Sequence, residues 1–141
     1  ALHSGSEWVI YGGQRYVNRD RFCFLVCDGG KGFLEVVKKV QPNFTSDVQA
    51  IQWAMEENNT TRSGDIPGGL GLSVIQDFAE TFNAEITLAS RGGFWKKRGR
   101  RVIQRDLPKQ FPGTLLEISV PLSLVHKAKQ TVLQSNLSDI W

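Results

Sequence analysis

The sequence predicts an α+β domain, a two-layer sandwich in which a mixed, mostly antiparallel sheet is covered on one face by helices. Three observations predict it. Runs rich in β-branched and aromatic residues lie towards both ends of the chain, and stripes of apolar residues at helical spacing occupy the middle. The order is hairpin, helices, glycine loop, helix and then strands, which differs from the alternation of a βαβ protein. At 141 residues, 40% of them hydrophobic, the chain suits a single compact domain with its own core.

Taken in order, Glu7 to Tyr16 (EWVIYGGQRY) and Arg21 to Cys27 (RFCFLVC) pair as a hairpin across Val17 to Asp20. Phe33 to Val40 forms a short helix stopped ahead of Pro42, because the residue before a proline avoids the α region. Ser46-Asp47 then caps a helix with Val48, Ile51, Ala54 and Met55 on one face, running out at Glu57-Asn58-Asn59. Asn58 to Gly69 (NNTTRSGDIPGG) has no period and is expected to be a long loop, of the kind that is usually functional or disordered. Leu72, Ile75, Phe78, Ala79 and Phe82 stripe a third helix ended by Asn83. Strands are expected at Ala84 to Ala89, at Gly93 to Gln104 with an interruption at Arg98 to Arg100, and at Thr114 to Leu122. Residues 1–122 make the domain, and Ser123 to Trp141 a partly helical tail.

Several classes of function are excluded. Cys23 and Cys27 lie four apart in one predicted strand, about 13 Å between Cα atoms, too far to bridge. With no CxxC and only His3 and His126, there is no zinc constellation, and no metal site is expected from the residues present. No window approaches the roughly 18 apolar residues of a membrane span, and no basic leader or signal core opens the chain, so a soluble, cytoplasmic protein is expected. The sequons at Asn43, Asn58, Asn59 and Asn136 are then chance matches. The chain opens at Ala1 without an initiator Met and is expected to be a fragment or a processed piece.

The net charge of +3 is uneven, since Lys96, Lys97, Arg98, Arg100, Arg101 and Arg105 crowd together beside Phe94 and Trp95. Such a segment can touch nucleic acid, an acidic partner or lipid headgroups, although a solvated hairpin tip is its commoner meaning.

Two glycine runs carry the candidate chemistry. Cys27 to Phe33 (CDGGKGF) ends an apolar strand on a carboxylate, and Pro67 to Leu72 (PGGLGL) opens a helix. Free backbone N–H groups and the positive end of the helix dipole make Gly68, Gly69, Leu70, Gly71 and Leu72 a candidate phosphate cradle. Neither run has the Gly-Lys-Ser/Thr ending of a P-loop, and the second does not follow a strand as a dinucleotide fingerprint must. Taken alone, either can also be an ordinary turn.

Together the two runs resemble the nucleotide-binding boxes of the GHKL superfamily, the Bergerat-fold ATPase domains of type II topoisomerases, heat-shock chaperones, MutL-type repair proteins and sensor histidine kinases. The D-x-G-x-G box is matched by Asp28-Gly29-Gly30-Lys31-Gly32, and the glycine-rich lid end by Gly68 to Leu72. The Gly-Thr of the last core strand is matched by Gly113-Thr114, followed by an apolar run to Pro121. The resemblance covers Ala1 to about Leu122 and is closest to the histidine-kinase-like domains.

The resemblance implies that Asp28 accepts a hydrogen bond from the adenine amino group, and that Gly30 and Gly32 let the backbone pass close to base and sugar. Thr114 adds a hydroxyl on the adenine side. Asn58 to Pro67 forms a mobile lid, Gly68 to Leu72 meets the phosphates of ATP, and Lys31 and Arg62 are candidate phosphate contacts. A catalytic Glu and an Asn that helps hold Mg²⁺ are expected in a helix upstream of Ala1, with Ala1 to Gly5 as its tail and His3 a helix-end residue. The expected function is Mg-ATP binding for phosphoryl transfer or hydrolysis in a signalling or regulatory protein, alongside protein partners or other domains. The alternative is a non-catalytic module on the same fold, docking a protein, or less expectedly a nucleic acid, through residues 96–105 and Trp95.

Overall fold

The computed structural model describes residues 5–56 and 70–124. Four strands, β1 (Val9–Tyr16), β2 (Arg21–Asp28), β3 (Glu85–Arg98) and β4 (Arg101–Pro121), form one sheet in the order β1-β2-β4-β3. Every neighbouring pair is antiparallel, so the parallel component anticipated for a mixed sheet does not occur among the described strands. The helices α1 (Phe33–Val37), α2 (Asp47–Met55) and α3 (Leu70–Thr81) accompany it. The architecture is α+β. Among the described residues no helix is long and apolar enough to cross a membrane.

The β1–β2 hairpin closes through a single 3-10 turn, Val17–Arg19, and Asp20 follows in the left-handed region at φ 49°. Asp20 also clamps the far end of β4. Its carboxylate accepts the Ser123 amide at 2.9 Å and the Ser123 hydroxyl at 2.7 Å, while its carbonyl accepts the Leu122 amide at 3.1 Å.

Helix boundaries follow local chemistry. The α1 segment continues in turns to Gln41, just short of Pro42, as the proline requires. Ser46 caps α2 by accepting the Val48 amide at 3.2 Å, and the Gln49 side chain returns to the Ser46 amide at 3.3 Å, a reciprocal capping box. At the end of α3, Asn83 turns left-handed at φ 47°. The Ala84 amide then reaches the Ala79 carbonyl and the Asn83 amide the Glu80 carbonyl, the two bonds of a Schellman cap.

One face of the sheet meets the helices. Ile86, Leu88, Trp95 and Val120 pack with Ile51 and Met55 of α2 and Ala79 of α3, joined by the partly buried Leu72, Ile75, Phe82, Leu116 and Ile118. This is the two-layer arrangement that the apolar stripes require, since each stripe has to leave water against another.

The C-terminal strands differ from the expected three short ones. Residues 85–89 and 93–98 are parts of one strand, β3, and 101–121 form a single strand, β4, that includes 105–113. Two prolines make that segment look like a loop, but Pro108 and Pro112 occupy places without a ladder partner. The register jumps from Ser90↔Thr114 to Arg91↔Phe111 and from there to Gly93↔Asp106, so neither ring displaces a needed N–H.

β3 also doubles back on itself. Glu85 and Lys96 stand eleven residues apart, about 36 Å along a straight strand, yet their side chains form an ion pair at 2.8 Å. The reversal lies at Arg91, left-handed at φ 50°. There the buried positions change phase, from Ile86, Leu88 and Ser90 to Gly93 and Trp95. Gly93 lies so close to α2 that a Cβ would sit 2.8 Å from Ile51 Cδ1, and the Gly92 amide donates to Asp47 Oδ2 at 3.0 Å.

Candidate functional site

Asp28 is the last residue of β2, half-buried, and stands directly opposite Thr114 of β4 and Val9 of β1. Opposed residues share a face of the sheet. Asp28, Thr114 and Ser90, which pairs with Thr114, therefore lie in line with Leu88, Leu116 and Val26 on the helix-bearing side. Asp28 Oδ1 accepts the Gly30 amide at 2.8 Å, which turns the chain sharply off the strand. Oδ2 makes no hydrogen bond among the described residues.

A chain of hydroxyls supports this corner. Fully buried Ser90 shares a 3.0 Å hydrogen bond with Thr114 Oγ1, and its Oγ accepts the Phe33 amide at 3.1 Å, anchoring the start of α1 to β3. Arg91 Nε donates to the Lys31 carbonyl at 3.3 Å. On the other side Ser6 Oγ accepts the Gly29 amide at 3.2 Å, and Trp8 lies across the Gly29 Cα. Sequence reasoning passed over Ser6, Trp8, Ser90 and Arg91. The one available signal was Ser90, a polar residue in phase with Ile86 and Leu88.

The glycines owe their identity here to the protein's own packing. A Cβ on Gly29 would come within 2.5 Å of Trp8 Cζ2, and one on Gly32 within 2.7 Å of Arg91 Cγ and 3.0 Å of Ser90 Oγ. Gly32 is also left-handed, at φ 80°. Gly113, at φ 138°, would drive a Cβ into the Asp28 carbonyl. The space beside Gly32 expected to admit base and sugar is held at that Cα by Arg91 and Ser90.

Asp28, Gly30, Lys31, Gly32 and Thr114 are thus brought together at the end of β2. Lys31 is exposed and pairs with Glu35 one helical turn on, at 3.3 Å. Leu70, Gly71 and Leu72 form the first turn of α3, where Leu72 packs against the core. Gly68, Gly69, Arg62 and the expected lid at 58–67 lie outside the described residues, as does His3. The described contacts of α3 run to β3 and α2.

Burial, followed by the neighbouring Asp28 carboxylate, pushes the Cys27 thiol up and keeps it neutral. Cys23 donates to Ser119 Oγ at 3.4 Å, and both cysteines are free. Among the described residues no three His, Cys, Asp or Glu side chains converge to hold a metal ion.

Trp95, expected beside the basic segment as a docking residue, is a core residue only 3% exposed. It belongs to the same core cluster as Ile86 and Leu88, on the buried phase of the second half of β3. No protein-family model matches the chain, and no curated protein matches its sequence.

Proposed function

We propose that this chain is an adenine-nucleotide-binding domain of the Bergerat, histidine-kinase-like type, working in the cytoplasm and holding Mg-ATP for phosphoryl transfer or hydrolysis. The observation that supports it is the Asp28–Thr114 corner. A half-buried carboxylate at a strand end has one oxygen fixed by the Gly30 amide, the other without a described partner, and a hydroxyl directly across the ladder. Such an acceptor suits the amino edge of adenine and penalises a base edge with no donor there, because an unmatched buried acceptor loses its hydration for nothing.

In this reading the residues of this chain bind and orient. Asp28 and Thr114 take the base, while the amides at the start of α3 face the phosphates with the positive end of the helix dipole behind them. The upstream Asn that the resemblance implies would help hold Mg²⁺, which would supply charge neutralisation at the triphosphate. The reading assigns the activation of water to the upstream Glu that the resemblance implies.

Calorimetric titration with Mg-ATP is the test, using wild type and Asp28→Asn with unchanged circular dichroism. Loss of the charged acceptor should weaken binding by about 1.5–3 kcal/mol, roughly 10- to 150-fold, and GTP should bind the wild type more weakly than ATP. An affinity that Asp28→Asn leaves unchanged removes the basis of this reading.

A further inference from the structure

The β3–β4 ribbon sorts its cations by face. Phe94 pairs with Arg105, Lys96 with Ile103 and Arg98 with Arg101. Directly opposed residues project the same way, so Lys96, Arg98, Arg101 and Arg105 share one face with Phe94 and Ile103. The reverse face carries Trp95, Lys97, Val102 and Gln104. Lys97 is committed to the helix layer, where it meets Glu80 at 2.8 Å and Gln76 at 3.3 Å, and Lys96 is neutralised by Glu85.

The cations left without an acid on the outward face are all arginines. Arg98, Arg101 and Arg105 are exposed, with Arg100 beside them at the tip. Arg105 lies over the Phe94 ring at 4.9 Å, and no acid pairs with Arg98, Arg100 or Arg101 among the described residues. Arg98 and Arg101 are like charges set directly across the ladder next to left-handed Gly99, an arrangement that destabilises the free protein.

We propose that this face is a docking surface for duplex DNA, with Arg98, Arg101 and Arg105 neutralising backbone phosphates. Complementary charge carries the proposal, and the geometry favours this occupant. Guanidinium groups bind phosphate bidentately and lose less hydration than lysines. A two-stranded ribbon, its strands about 5 Å apart, enters a B-form major groove about 12 Å wide. The Arg98-Gly99-Arg100-Arg101 tip carries no apolar side chain, so the end of the ribbon lacks the apolar wedge of a membrane-inserting loop. The proposal is independent of nucleotide binding at Asp28.

Fluorescence anisotropy with a labelled duplex of mixed sequence, titrated with KCl, tests it on the intact chain without nucleotide. Three phosphate contacts give a slope of log K against log salt near −2.7, and each Arg→Gln change among the three removes about 1 from it. The triple variant Arg98→Gln, Arg101→Gln, Arg105→Gln should lose nearly all binding. Arg19→Gln, Lys38→Gln, Lys39→Gln, with the same change in net charge, should retain it. Arg101→Thr separates docking from folding, because it should raise the melting temperature while weakening DNA binding. Wild-type affinity in the arginine triple variant overturns the proposal, as does equal loss in the control triple. Tighter arginine-dependent binding to polyglutamate, to phosphatidylserine vesicles or to an RNA duplex, whose major groove is too deep and narrow for side chains to read, also overturns it.

Discussion

At the scale of single residues, Gly113 shows how a position marked by a motif can have a purely steric reason. Its φ of 138° is a conformation that side-chain-bearing residues rarely adopt, and an added Cβ would meet the carbonyl of Asp28 on the adjacent strand. Gly113→Ala should therefore lower stability by at least about 2 kcal/mol, read as a fall in the urea midpoint. A midpoint within error of wild type would show that the strand can shift to make room. Asp28 itself was legible, because a carboxylate closing an apolar strand calls for a partner. Its Gly30, Thr114 and Ser90 surroundings were legible only in part, since Ser90 lies far from Asp28 along the chain and is linked to it only through Thr114 on the strand between them.

Among elements, the helices were the most readable. Each has a local start or stop signal: Pro42 after α1, the Ser46 and Gln49 box of α2, and Asn83 after α3. The Schellman cap makes Asn83 a sharp test, since a side chain that tolerates the left-handed region less well has to adopt it. Asn83→Ala should cost about 1 kcal/mol, measured as a lower unfolding temperature with helix content otherwise unchanged. The late strands were less readable. Pro108 and Pro112 argue against a strand in any local window, and only the register jumps opposite Arg91 and Gly92 show why they are tolerated. The pairing that creates those jumps is non-local, so no local pattern announces it.

For the whole molecule, the doubled-back β3 is decisive, because it sends Trp95 into the core and leaves the arginines on the opposite face. Lys97 pins the returning segment to α3, and its hydrogen bond followed by its charge pulls the Glu80 carboxyl below its ordinary range. The sign of the pH dependence follows directly. A depressed acid contributes stability that is present above its unfolded value and lost as pH falls through the folded one. Trp95, by contrast, supplies apolar burial at every pH. Trp95→Ala should cost about 3–5 kcal/mol in chemical denaturation. A loss below about 1 kcal/mol, the range of ordinary surface substitutions, would mean that the returning segment does not seal the core.

The sequence alone determined the α+β class, the hairpin, the helices and the glycine-flanked acid, because periodicity, caps and turn chemistry act over a few neighbouring residues. Tertiary structure alone decided that every described strand pair is antiparallel, that β3 reverses at Arg91, and that Trp95 is core while Arg98, Arg101 and Arg105 share an exposed face. These outcomes depend on which distant segments pair and in what register. A shift of one residue in that register would exchange the two faces, and nothing within a strand's own sequence encodes its partner's alignment.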